Sequence, residues 1–285
     1  MGATLNVDEI VYYYDRCQVD YEQFWKLNSH LCMHYGYWDD ATRDLGSALI
    51  MMNRKVAEFG GVRNGDAVLD AGCGVGGSSI FLASQLGCTP HGISLSAKQI
   101  EQCKENAQRH GVGDRTSFSV QNYLNTSFEN ETFDVVWGIE SVCYAYDKID
   151  FLREAFRVLK PGGRVVVADF FANGVVPGTP DAAMMDKWTR TWAIRSYAEV
   201  ESFWTDLQRA GFVGMQRKDV TANVVKSIKR LYALFYPGLA WMYGGYALGR
   251  RTKENLLNAW STYYQYKTYK RDLWRYVFYT AQKPQ

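Results

Sequence analysis

One aspartate and the glycines after it are the residues of this chain best arranged for chemistry. Ala67-Val68-Leu69-Asp70-Ala71-Gly72-Cys73-Gly74-Val75-Gly76-Gly77-Ser78-Ser79 runs from apolar strand residues through a carboxylate into a glycine-dense turn. A helix opens near Ser78, and glycines before it let backbone N–H groups approach a ligand at the helix N-terminus. Gly72, Gly74 and Gly77 satisfy the spacing of a dinucleotide-binding loop. That loop also needs an Asp or Glu about 20 residues on, to hold a ribose. Gly92-Ile93-Ser94-Leu95-Ser96 stands there without an acid, which argues against a nicotinamide cofactor.

Two further residues could move protons. Glu140 follows the apolar run 133–137 and the break at Gly138. Desolvation at such a strand end raises a carboxylate's pKa, so Glu140 reads as a base or cation-stabilising carboxylate, or else as a salt-bridge partner. His34 lies in the aromatic run His34-Tyr35-Gly36-Tyr37; it could act as a base near neutral pH or serve only in packing. Six cysteines, at 17, 32, 73, 88, 103 and 143, form no Cys-x-x-Cys pair. The expectation is therefore buried thiols, no metal site and a reducing, cytoplasmic compartment. No charged-then-apolar leader is evident at the N-terminus, and no apolar stretch has the length of stable membrane insertion.

A formal net charge of +2, with Lys and Arg scattered, offers no concentrated basic face for nucleic acid. Aromatic residues are unusually frequent at 15%, and they crowd the two ends of the chain. This shift in composition suggests an N-terminal helical cap or lid over 1–60, a ligand-binding core over 61–172, and a remainder over 173–285 carrying the rest of the sheet and helical cap insertions. So much Tyr and Trp at the ends also points to self-association into a homo-oligomer.

The elements that must position these residues alternate. Strands are expected at 67–70, 89–93, 116–120, 133–137 and 164–168, with helices at 78–86, from 96 to a stop at Gly111, and over 151–159. Ser96-x-x-Gln99 reads as a capping box, and Lys160-Pro161-Gly162-Gly163 as a sharp helix end. Strand–helix alternation predicts an α/β, Rossmann-like, doubly wound sheet, mostly parallel. A last strand at 273–283 would close it in antiparallel fashion beside 211–219. Asp70, Ser94, Asn122, Glu140 and Asp169 would then meet at the C-terminal strand ends.

The motifs at 70–77 and 92–99, the element at 133–137 and the Leu159-Lys160-Pro161-Gly162-Gly163 turn occur in the order of class I S-adenosylmethionine-dependent methyltransferases, which this chain resembles. Within them it is similar to the branch of tocopherol, sterol and cyclopropane fatty acid methyltransferases and of bacterial enzymes that C-methylate prenyl chains. The Gly-Ile-Ser-Leu-Ser…Gln run, Tyr14-Asp15 with Trp25 and His34-Tyr35-Gly36-Tyr37, and Gly138-Ile139-Glu140-Ser141 carry that likeness. The resemblance implies S-adenosylmethionine as cofactor. Asp70, Gly72, Cys73 and Gly74 would lie at its methionine part, with Tyr14 and Tyr35 covering that end beside His34. Ser94, Leu95 and Gln99 would meet the ribose and adenine edge, and Gln121, Asn122, Tyr123 and Ile139 would complete the pocket. Tyr21, Trp25 and Tyr144 would form the lid over the substrate.

The partner implied is a hydrophobic small molecule of secondary metabolism. Carbon methylation of an isoprenoid alkene leaves a carbocation, which electron-rich rings and a carboxylate stabilise, so an aromatic cap with Glu140 suits it. O- or N-methylation of an aromatic or alkaloid-like product is the alternative, and a non-catalytic cofactor-binding protein a more distant one.

Overall fold

In the computed structural model the described residues are 7–24 and 27–285. Trp25 and the side chains of Tyr14 and Tyr21 lie outside the described set. The chain opens with α1 (Val7–Phe24), α2 (Leu27–His30) and α3 (Leu45–Phe59), then alternates through β1 (Ala67–Ala71), α4 (Gly77–Leu86), β2 (Thr89–Ser94), α5 (Ala97–Arg109), β3 (Ser117–Val120), β4 (Phe133–Ile139), α6 (Lys148–Val158) and β5 (Leu159–Ala172). It continues through α7 (Pro180–Thr191), α8 (Val200–Arg209), β6 (Val213–Asp219), α9 (Thr221–Ala247), α10 (Lys253–Lys270) and β7 (Trp274–Gln282).

The strands form one sheet in the order β3-β2-β1-β4-β5-β7-β6, with β1 to β5 parallel and β7 antiparallel to both neighbours. This is the doubly wound arrangement expected. Val68, Val135, Val166 and Val167 are fully buried, as a parallel sheet covered on both faces requires.

Local chemistry sets the helix ends. Ser96 caps α5 by accepting the Gln99 N–H, and Asp44 and Ser47 form a reciprocal capping box on α3. The Ser96 motif departs from expectation in one respect: the Gln99 carboxamide oxygen accepts the Ser94 hydroxyl at 2.6 Å. The Lys160–Gly163 turn also differs. It ends α6 but is absorbed as a bulge in β5, whose pairing with β4 steps from Phe133↔Leu159 to Val135↔Arg164. Lys160 there reaches Asp134 at 2.9 Å.

The N-terminal residues serve two purposes. The helix α1 docks on α10, with the Tyr13 hydroxyl donating to Asn258. By contrast, α3 buries Leu49, Met52 and Val56 in the core shared with Val166 and Phe278. At the other end of the chain, α9 and α10 pair through stacked rings, Tyr232 on Tyr266 at 4.0 Å. All six cysteines are buried and unbridged. Among the described residues, no helix is long and apolar enough to cross a membrane.

Candidate functional site

Strand order reverses between β1 and β4, the position where open α/β sheets form a ligand crevice at the C-terminal strand ends. An open cavity occupies it. The glycine loop after β1 forms one wall. Gly72 has φ +106°, and a Cβ there would come within 2.5 Å of the Ser141 Cβ. A Cβ on Gly77 would come within 2.1 Å of the Leu31 carbonyl oxygen. The loop is thus too tightly packed for a side chain at either position without a shift. Gly72 and Cys73 donate their N–H groups to the Ile93 carbonyl, which ties the loop to β2.

Asp70, at the end of β1, is 2% exposed and accepts the Ser79 hydroxyl at 2.7 Å. Burial raises its pKa to about 6, against the opposing pull of that hydrogen bond. Around it, Cys73, Gly74, Ser94, Leu95, Gln99, Gln121, Tyr123 and Ile139 all line the cavity. Asn122 is not among the lining residues; its carboxamide oxygen accepts the Leu124 N–H in a local turn. Gln121 is also committed, donating to Ser119 and accepting from Ser127.

Glu140 is the sharpest feature of the opposite wall. It is held at φ +50°, a left-handed conformation uncommon outside glycine, just beyond β4. Its N–H donates to the Ala168 carbonyl, so the chain turns there while still tied to β5. Oε1 accepts the Tyr35 N–H at 2.7 Å and the Tyr276 hydroxyl at 2.8 Å. Burial raises its pKa to about 8; the two donors oppose that rise, and nearby Asp169 adds to it. Asp169 itself accepts from the Cys143 and Phe170 N–H groups and is raised to about 6 by burial.

His34 lines the cavity but is differently employed. The Tyr35 carbonyl can only accept, so His34 Nδ1 carries the proton toward it at 2.9 Å, while Nε2 accepts from the Asn53 amide at 3.1 Å. Burial lowers its pKa to about 4. With both nitrogens engaged and protonation disfavoured, a base role fits His34 poorly, and its geometry is that of a structural imidazole. Tyr35 lines the cavity with its phenol directed to Gln265 at 2.7 Å and its N–H to Glu140. Tyr144 also lines it, and the Tyr123 hydroxyl donates to the Ser141 carbonyl.

The rest of this wall is aromatic. Phe170 meets Tyr35 edge-on at 5.4 Å and Tyr276 at 4.8 Å, with Trp192 at 6.2 Å. Phe170, Trp192, Tyr197 and Tyr276 escaped the sequence reading. Alternation of Trp274, Tyr276 and Phe278 along the last strand was the available signal for Tyr276, but only the register Phe170↔Tyr276 carries it to Glu140.

The side chains around the cavity share a charge pattern. Asp20, Asp70, Glu140 and Asp169 line it, and no Lys or Arg does among the described residues. Asp20 is neutralised from behind by Arg251 at 2.8 Å. An acid-lined, glycine-walled pocket beside aromatic rings fits a cationic sulfonium with an ammonium tail, so the residues present suit S-adenosylmethionine. Among the described residues, no cluster of three or more metal-ligating side chains occurs.

A family model described as a methyltransferase domain matches residues 68–163. The chain is 32% identical over 191 residues to the methyltransferase GfsG of Streptomyces halstedii, covering 66% of this chain and 68% of that one. It is 28% identical over 297 residues to the chloroplastic tocopherol O-methyltransferase of Arabidopsis thaliana, covering 96% and 82%. The solved geranyl diphosphate C-methyltransferase of Streptomyces coelicolor superposes with a TM-score of 0.74 at 20% identity over 99% and 98% of the two chains, a likeness of fold.

Proposed function

Because the chain belongs to the class I S-adenosylmethionine-dependent methyltransferases, we propose that its aromatic cavity C-methylates an uncharged isoprenoid alkene. Glu140 is the observation that carries this reading: a carboxylate poised at about pH 8, facing a ring-walled cavity without a basic residue. The absence of Lys and Arg from the described lining disfavours a phosphate or carboxylate acceptor, since nothing there would balance its charge.

When bound, S-adenosylmethionine supplies a methyl group on a sulfonium, transferred by in-line displacement. The loop at Gly72, Cys73 and Gly74, with Asp70, would hold its methionine part. Ser94, Leu95 and Gln99 would hold the ribose side, with Gln121 and Tyr123 near the base. Tyr35, Phe170 and Trp192 exclude water and present ring faces to the cation left on the alkene, each worth roughly 0.5–2 kcal/mol when desolvated. Glu140 then takes the proton from the neighbouring carbon, restoring a double bond. The Tyr35 N–H and the Tyr276 hydroxyl hold the carboxylate in position throughout.

O-methylation is the second reading, favoured by the activity of the tocopherol relative. There Glu140 would remove a hydroxyl proton, for which a pKa near 8 is suited. Incubation with methyl-labelled cofactor and neutral prenyl compounds, followed by carbon NMR of the product, separates the two: a new C–CH3 supports the first, an O–CH3 the second. Glu140→Gln with undiminished turnover would reject both roles for the carboxylate.

A further inference from the structure

Away from the strand ends, α9 supplies Leu231, Leu234, Phe235, Gly238, Leu239 and Met242 to the cavity wall, and α10 supplies Ala259, Ser261 and Thr262. The two helices run antiparallel: Tyr232 stacks on Tyr266 at 4.0 Å, and Phe235 meets Trp260 at 5.2 Å. Continuing that pairing sets Gly238 level with the turn of α10 around Ala259. Gln265, which accepts the Tyr35 hydroxyl, lies about 10 Å further along α10. The end of α10 leads into β7, whose Tyr276 holds Glu140. Gly238 therefore belongs to the end of the cavity remote from that carboxylate.

Gly238 stands on the inward face of its helix. Phe235, three residues before it, and Met242, four after, are 4% and 3% exposed, and Leu231 two turns before is buried too. Residues at these spacings share one helix face, so a Cβ at 238 would point inward. Yet no described atom lies within 4 Å of that position. Neither a left-handed φ nor a close backbone approach calls for glycine there, and glycine weakens a helix interior relative to alanine. What the missing side chain provides is a recess in the cavity wall. Gly244 has equally empty surroundings, but it is exposed and lies outside the lining, so its space is solvent.

We propose that Gly238 sets the length of acceptor the cavity admits, the chain end remote from the methylated carbon lying in the recess that the absent side chain leaves. This deepens the reading of the cavity as an acceptor site and rests on it. The recess is walled by Leu231, Phe235, Leu239 and Met242, which suit aliphatic carbon. Asp20, which also lines the cavity, is already matched by Arg251, Asn255 and Asn258, so it asks for no polar group on the ligand. A short acceptor can meet Glu140 without reaching Gly238. A longer one buries further apolar surface there and gains affinity with each added carbon.

The test titrates prenol, geraniol and farnesol calorimetrically into the protein saturated with S-adenosylhomocysteine. The native chain is compared with Gly238→Leu, Gly238→Ala and Gly244→Leu. Native affinity should rise along the series. Gly238→Leu should weaken farnesol at least ~10-fold and leave prenol unchanged, and Gly238→Ala should act in the same direction to a smaller degree. Both replacements favour the helix, and the alanine variant carries the test if leucine disturbs folding, as judged by S-adenosylhomocysteine affinity. Gly244→Leu should match the native chain. The assignment is overturned if native affinity does not rise with length, if the Gly238 variants weaken all three alcohols alike or none, or if Gly244→Leu has the same effect. Labelled-methyl transfer is read separately. Length-selective loss in the Gly238 variants without methylation of any of the three would reject the isoprenoid reading and leave the Gly238 assignment standing.

Discussion

The Tyr276 hydroxyl donates to Glu140 Oε1 at 2.8 Å across 136 residues of chain, joining the last strand to the end of β4. The carboxylate's position and its ionisation therefore depend on the antiparallel strand. Tyr276→Phe removes a donor that favours the charged form, so the Glu140 pKa should rise further above about 8. The acid limb of the rate–pH profile should move upward by about one pH unit. An unmoved limb, with adenosylhomocysteine affinity intact, would separate Tyr276 from the carboxylate's titration.

Glu140 also links stability to pH. Its pKa rises from an ordinary 4.5 to about 8 on folding, so the folded state binds the extra proton between those values. Stability from this group is present below about pH 4.5 and declines as pH rises toward 8. Glu140→Gln removes the titration. Its melting temperature relative to the native protein should therefore be more favourable at pH 8 than at pH 5, by at least ~2–4 °C. A difference independent of pH in thermal melts would contradict the raised pKa.

Gly72→Ala should uncouple ligand binding from folding. The substitution places a methyl group 2.5 Å from the Ser141 Cβ on a φ of +106°, straining the loop by roughly 1–3 kcal/mol. Calorimetry should show S-adenosylhomocysteine affinity reduced at least ~10-fold, with far-UV circular dichroism unchanged. Full affinity would mean that the loop does not hold the cofactor.

Lys148 is a buried clamp rather than a surface charge. Its ammonium donates to the carbonyls of Cys143, Ala145 and Ser196, joining the segment of Tyr144 to that of Tyr197. Lys148→Met leaves those carbonyls without their donor and should destabilise the fold by about 1–3 kcal/mol in denaturant melts. The acceptor KM should rise while cofactor affinity holds. Equal loss of both would place Lys148 under the whole cavity.

The glycine-loop side of the cavity was legible because it is local. Asp70, Gly72, Cys73 and Gly74 are consecutive or nearly so, and a strand entering a glycine turn before a helix dictates their common face. Ser94, Leu95 and Gln99 follow the same logic at the next strand end. Asn122 stands outside the cavity lining, its carboxamide oxygen accepting an N–H two residues on, a choice that spacing does not reveal. His34 shows the same limit. Its residue type allows a base, and only the burial beside Asn53 and the Tyr35 carbonyl disfavours that option.

The sequence by itself determined the parallel core, the closing antiparallel strand, the glycine loop and the carboxylate at Glu140, since each follows from short-range periodicity and turn chemistry. Tertiary structure alone decided what surrounds that carboxylate. Tyr35, Phe170, Trp192, Tyr197 and Tyr276 come from distant segments and meet through strand register and a segment laid on the end of β5. Contacts between residues far apart in the chain depend on packing and not on spacing, so the aromatic wall becomes visible only once the chain is folded.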